Sequence, residues 1–249
     1  MLKTLKAKIE GVAPLIMHNG AGANPFDPWS RAMKDLKTKK NKTDKDIEHL
    51  AQLEFLGSLY TDDVERTIPP TGKIIIPGIV QEAMMRDAAS QMKKPISRRD
   101  AVAGITCADV PPDADVPLDY DGPRDLTALS ADSRFHFFTS VRIQRARIMS
   151  MRPMFRKWGA TLEIGWEDSI IKREEDVRTV LEYAGRMVAL CDWRPKHGRF
   201  IVNVGFLTNQ HLSNSRRKQY DHHPRLRAEV LGSRQRPRDA RFLVGRLVH

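Results

Sequence analysis

Lys3–Val12 alternates imperfectly between polar and apolar side chains, and the apolar run Pro14–Met17 follows it. Alternation places every second side chain on one face of a sheet, so Leu2–Met17 is predicted to be a first strand with a buried far end. The segment HNGAGANPFDPW comes next, dense in glycine and proline-containing steps, and takes the chain out of the sheet. A lysine-rich stretch, poor in apolar side chains, is expected to be a solvated loop as far as Thr43. Thr43 is a good N-cap with Asp46 three residues on, and Leu50, Leu53, Leu56 and Tyr60 fall at near-helical spacing. A helix is therefore predicted from there through about Tyr60. Ile74–Ile76 predicts a short strand, and Pro77 is placed for the first position of a helix to about Met92. Val80, Ala83, Met84 and Ala88 form the inward stripe of that helix.

Ala101–Val110 predicts a strand, and the acidic, proline-rich segment after it has no periodicity and is expected to be an exposed loop. Phe135–Ser150 and Gly159–Trp166 predict two strands joined by MRPMFRKWG. From about Lys172 to Leu190 a helix is predicted. Glu174, Glu175 and Asp176 suit the positive N-terminal end of its dipole, and Val177, Val180, Leu181, Ala184 and Val188 give its stripe. A last strand, Phe200–Phe206, follows CDWRPKHGR, and no internal repeat or low-complexity segment interrupts the order. Reduced to its frame this is β-α-β-β-α-β, an α+β chain of ferredoxin-like (RRM-like) type: an antiparallel sheet with two helices on one face. The expected organisation is one domain over residues 1–210, with a helical insertion at 19–66 and a loop at 111–134, and then a tail over 211–249. The open face of such a sheet, or the loops at its edge, is where single-stranded RNA is commonly held.

Composition sharpens that picture. Of 249 residues 41% are hydrophobic, and 42 Lys and Arg stand against 31 acids, giving a formal net charge of +11. Ten of those cations and three of those acids fall between Ser215 and His249, so +7 of the charge belongs to the tail. Lys34, Lys37, Lys39, Lys40, Lys42 and Lys45 form a second cluster, which is either a solvated face or a source of phosphate affinity through counterion release. Cys107 and Cys191 are too few for a disulfide scaffold, and neither has metal-ligand spacing. Lys and Glu interrupt the N-terminus too often for a signal peptide, and no run reaches 18 apolar residues. The expectation is a soluble cytoplasmic protein with no membrane partner and a polyanionic one.

Three segments in a fixed order then carry a resemblance. IEGVAPLIMHNG ends the first strand, IPPTGKIIIPGIVQEAMMRDA opens the first framework helix, and LCDWRPKHGRFIV joins the last helix to the last strand. Together they resemble the RAMP superfamily, and within it the backbone subunit of CRISPR effector complexes and similar phage-encoded proteins. The resemblance covers most of residues 1–206, and the tail has no counterpart in it. It implies a chain that polymerises along a guide RNA or other single strand, copy beside copy and with other effector subunits possible. A protruding thumb-like loop would separate the nucleotides held by each copy. It implies a binding protein, although in some members a carboxylate in the loop after the first strand cuts RNA with a divalent metal.

The candidate contacts follow from position and chemistry. His18 and Asn19 stand where the chain leaves the first strand, either as structural residues or as donors to a phosphate or 2′-hydroxyl. Lys73 precedes a helix start, either as an ordinary exposed lysine or as a phosphate contact. Arg142, Arg145, Arg147, Arg152 and Arg156 are interleaved with apolar residues. Trp193, Arg194, Lys196 and Arg199 form the strongest set, with the indole placed to stack on a base. No GxxxxGK[ST], GxSxG, HExxH or GxGxxG occurs, so no cofactor is expected and enzyme chemistry is poorly supported. Two alternatives stay open: a phage-type single-stranded DNA-binding recombination accessory, and a metal-dependent ribonuclease using Asp27, Asp35, Asp62 or Asp63.

Overall fold

Along β1 (Leu2–Gly11), Leu5, Ala7 and Ile9 are buried while Lys6, Lys8 and Glu10 face the other way. The computed structural model describes residues 1–107, 115–143 and 146–210, all within one compact unit, Met1–His211. The expected first strand is two strands, because the chain breaks after Gly11 and resumes as β2 (Leu15–Ile16) in another sheet. The cause is local. The Trp158 indole occupies the space a side chain at Gly11 would need, and its Nε1 donates to the Ala13 carbonyl at 2.8 Å. Pro14 has no N–H to continue a ladder.

The lysine-rich stretch is a helix for its first half. In α1 (Pro28–Thr38), the Asp27 carboxylate accepts from the Ser30 N–H at 3.1 Å and Pro28 opens the first turn. Trp29 and Met33 bury one face against Leu53, leaving Lys34 and Lys37 on the polar side. In α2 (Asp44–Gly57) the Thr43–Asp46 capping box is present as the spacing predicts, and the helix ends three residues before Tyr60. β3 (Ile75–Ile76) leads into α3 (Gly78–Met92), with Pro77 as its N-cap and not its first residue. Met84 and Ala88 are buried as expected, joined by Gln81, Met85 and Ala89, while Val80 and Ala83 are half-buried.

The strand expected over Ala101–Val110 is mostly helix, as far as the described residues reach. The Ser97 hydroxyl accepts from the Asp100 N–H at 3.1 Å and starts α4 (Arg98–Gly104), which leaves β4 only Ile105–Thr106. The expected exposed loop at 111–134 is also corrected over its described part. It contains β5 (Val116–Pro117), β6 (Asp119–Tyr120) and α5 (Leu126–Ala131), and it buries Val116, Leu118, Tyr120, Leu126 and Leu129. Three strands then stand where two were expected: β7 (His136–Ile143), β8 (Ala146–Phe155) and β9 (Trp158–Glu167). MRPMF is the end of β8, paired with β7 and β2, and not a linker. Finally α6 (Glu174–Tyr183) runs into a wider π-helical turn at Ala184–Val188 and is followed by β10 (Phe200–Gln210).

The architecture is mixed α+β with antiparallel sheets. The main sheet has the order β10-β1-β9-β4, with β6 also pairing β9, and a second sheet has the order β2-β8-β7. One face of the main sheet carries Leu5, Ala7, Ile9, Leu162 and Ile164 into a core with Met84 and Ala88 of α3 and Val177, Val180 and Leu181 of α6. On the opposite face stand Lys6, Lys8, Glu10, Thr161, Glu163, Ile201 and Asn203, with Lys6 and Glu163 paired at 2.5 Å. Residues 211–249, including the expected basic tail, lie outside the described residues.

Candidate nucleic-acid interface

The loop from the end of the α6 helical segment to β10 is held in an unusual backbone path. Ala189, Cys191 and Trp193 have φ of 71°, 60° and 59°, a region L-residues seldom occupy. Backbone bonds to the strand exit on the far side impose it. Asp192 N–H donates to the Ile16 carbonyl at 3.0 Å, Gly198 N–H to Pro14 at 2.8 Å, and Leu190 N–H to Gly198 at 3.0 Å. Gly198 has φ +74°, and a Cβ there would stand 2.1 Å from the Leu190 carbonyl oxygen. The result is a fixed platform: Trp193 is 42% exposed and rests edge-on against Phe137 of β7 at 5.7 Å, with His197 also against Phe137 at 5.8 Å.

Beneath the platform lies a partly buried ion pair. Arg152 stands opposite Phe137 in the β7–β8 ladder, is 8% exposed, and pairs with Asp192. Its Nε is buried with no partner among the described residues. Arg152, expected to reach a phosphate, is instead a structural counter-charge for the loop. His18 is near both members of the pair. Loss of hydration around its ring and the Arg152 guanidinium push the imidazole below its ordinary value, although the residue keeps an exposed side. Its carbonyl accepts from the Tyr60 hydroxyl at 2.9 Å, and burial pushes that phenol up to about 12. Glu54 of α2 also acts on His18, accepts from the Met151 N–H at 3.3 Å and pairs with Lys37 at 3.6 Å.

Two carboxylates, Glu54 and Asp192, thus stand among Lys37, His18 and Arg152, and Asp192 directly precedes Trp193 in the loop. Arg194 turns to α3 and pairs with Asp87 at 3.3 Å. Between them, Trp193, Arg194, Asp87, Gln91 and Met187 line a groove of about 560 Å³. Lys196 and Arg199 are exposed and have no ion pair among the described residues. Asn19 is structural: its side chain caps the Gly20–Ala23 turn at 2.9 Å and donates to the Leu59 carbonyl at 3.1 Å. Lys39 pairs with Asp46 at 2.7 Å, pulling that carboxyl well below its usual range, and Lys40 is exposed. Lys73 is exposed, with its backbone N–H donating to Asp62 at 2.7 Å. Arg156 belongs to the β8–β9 turn and donates to the Arg134 carbonyl. Arg142 and Arg147 face each other in the backbone ladder, while Arg145 lies outside the described residues.

Sequence reasoning missed Phe137, Asp192, Glu54 and Asp87, which only tertiary pairing brings to the loop. It also left two surfaces open, and the structure separates them. Lys6, Lys8, Glu10, Thr161, Glu163, Ile201 and Asn203 on the open face of the main sheet include no aromatic ring, whereas the loop exposes Trp193. Three of the four aspartates weighed for metal chemistry have structural work. Asp27 caps α1 and pairs with Arg66 at 2.6 Å, and Asp62 accepts from Lys73. Asp63 accepts from Thr67 and Thr71, which hold it at about 2, and Asp35 is exposed. Among the described residues no group of three or more His, Cys, Asp or Glu is placed to hold a metal, and no helix is long and apolar enough to cross a membrane. No family model matches the chain, and no curated protein matches it in sequence.

Proposed function

We propose that this chain is a non-catalytic, sequence-independent binder of single-stranded nucleic acid. In its finer form it is a cytoplasmic RNA-binding backbone subunit that assembles side by side along a guide RNA in a CRISPR-type ribonucleoprotein. The observation that carries the reading is the strained, tethered loop that presents Trp193 beside Lys196 and Arg199, two exposed cations with no ion pair among the described residues. A base stacks on the exposed indole face regardless of its identity, and the two cations take adjacent phosphates. The strand order supports the frame: with the insertions set aside, β10-β1-β9-β4 reads fourth, first, third, second, as in a β-α-β-β-α-β sheet of ferredoxin-like type. In this reading the β7–β8 hairpin, whose base carries Phe137 and Arg152, is the thumb-like element.

The test is fluorescence anisotropy with a labelled 30-nucleotide RNA over a salt series. Trp193→Ala is expected to cost about 1–3 kcal/mol of binding. Lys196→Ala with Arg199→Ala should lower the salt slope by about 1.4, at about 0.7 per phosphate contact. Binding stoichiometry should rise with strand length, and RNA should outcompete DNA of the same sequence, since only RNA offers the 2′-hydroxyl. A native chain that binds neither strand at low salt defeats the proposal, and a preference for DNA returns it to the recombination-accessory class.

A further inference from the structure

We propose a second anion site, for a phosphate group, at the turn between β8 and β9. It rests on the nucleic-acid reading above, but it is built from different residues. Arg156 and Lys157 form the turn and both are exposed. The Arg156 guanidinium donates to the Arg134 carbonyl, which orients it. Arg134 is held in turn by a two-pronged pairing with Asp132, Nη2 to Oδ2 at 2.6 Å and Nε to Oδ2 at 3.0 Å, and lies over the Phe135 ring at 5.7 Å. Phe135 is buried, and Gly122 approaches it so closely that a Cβ would stand 2.4 Å from the ring. The floor is therefore rigid. With Ser133 and Asp121 these groups line a concavity of about 410 Å³.

Charge decides what such a concavity takes. Arg134 is compensated by Asp132, and Asp121 is close enough to act on Arg134 as well. Arg156 and Lys157 have no carboxylate partner among the described residues, so the pocket keeps a net positive charge with a planar guanidinium fork, an ammonium and a hydroxyl at its rim. That set matches a phosphate oxyanion, which takes paired N–H donors from arginine and a point charge from lysine. The site is four residues along β8 from Arg152, about 13 Å at the usual strand rise, so it is separate from the Trp193 loop. Two sources of the phosphate share this chemistry: an internal phosphodiester of the bound strand, or a terminal phosphomonoester.

The experiment uses the full chain and the 30-nucleotide RNA in two forms, with a 5′-phosphate and with a 5′-hydroxyl. Arg156→Ala with Lys157→Ala is expected to weaken binding about tenfold, one charge-assisted contact, and to lower the salt slope by about 0.7. Lys157→Ala alone breaks no bond of the structure and should show part of the loss, which keeps folding out of the result. If the native chain prefers the 5′-phosphate and the double variant loses that preference, the ligand is a terminal phosphate. Equal loss for both RNAs identifies an internal one. A double variant that keeps native affinity and slope, while Trp193→Ala weakens binding, overturns this site and leaves the proposed function standing. Should the native chain bind no RNA yet be stabilised against heat by inorganic phosphate in an Arg156-dependent way, the site stands and the nucleic-acid reading falls. Absence of both effects removes both.

Discussion

Replacing Asp192 with alanine tests whether its partly buried ion pair with Arg152 fixes the loop. Arg152 is 8% exposed and its Nε already has no partner among the described residues, so losing Asp192 strands a guanidinium in low dielectric. Breaking a fully buried pair costs about 3–5 kcal/mol, because one charge is left uncompensated. Here the Asp192 side chain is 33% exposed, so water can solvate that end of the guanidinium, and about 2–3 kcal/mol is the reasonable expectation. For a unit of this size each kcal/mol lowers the melting temperature by about 2–4 °C, which gives about 4–12 °C in differential scanning fluorimetry. The pair itself is weak evidence of net stability, since apolar residues of similar volume often replace such pairs at little cost. Arg152→Met with Asp192→Leu should therefore melt closer to the native chain than Asp192→Ala does. An Asp192→Ala variant that melts within about 1 °C of native, or a double variant worse than both singles combined, refutes this account of the loop.

Gly198→Ala should destabilise the chain by about 2 kcal/mol or more, read as a drop in urea midpoint, because its φ is left-handed and the Leu190 carbonyl occupies the Cβ position. RNA affinity should fall with it, since the same backbone path presents Trp193; full affinity in a folded Gly198→Ala chain contradicts the platform. Burial holds His18 and His197 below the ordinary value of 6.5, so the native state binds protons less readily than the unfolded chain. Above that value both states are neutral and stability is complete; as the pH falls below it the unfolded chain is protonated first and stability is lost. Thermal melts from pH 7.5 to 5 should show that decline, and it should flatten in His18→Asn with His197→Asn.

Where one periodicity governs a whole element, the sequence was legible. β1 alternates, α6 carries Val177, Val180 and Leu181 on one stripe, and Thr43 with Asp46 caps α2 as the spacing requires. Elements failed to show where their apolar residues are few and embedded in charge. In α1 the burial rests on Trp29 and Met33 among three cations and an acid, so composition read as solvent while geometry makes a helix. Between 115 and 131 each element is two to six residues long, too short for any period to emerge, yet it supplies Val116, Leu118, Tyr120 and Leu126 to the core. The candidate site divides the same way. Trp193, Arg194, Lys196 and Arg199 could be picked from one contiguous segment. Asp192 with Arg152 is a pairing across 40 residues and Arg194 with Asp87 one across 107, and only the packing of the loop against β8 and α3 sets such pairings.

Those pairings change what the charge excess means. A formal +11 suggests strong attraction to any polyanion, yet Arg152, Arg194, Lys37 and Lys39 each already have a carboxylate partner. On the Trp193 loop two cations remain unpaired among the described residues, Lys196 and Arg199. Under the proposed function two phosphate contacts would supply a salt slope of about 1.4, well below what about six to ten contacts would give. This loop alone is thus expected, under that function, to hold a strand weakly at physiological salt. Further affinity would come, under the proposed function, from cations elsewhere on the chain and from several copies on the same strand, where each bound neighbour raises the effective concentration of the next. The modest free charge of a single loop is what the proposed side-by-side array along one nucleic acid would compensate, since carboxylates already hold the neighbouring cations.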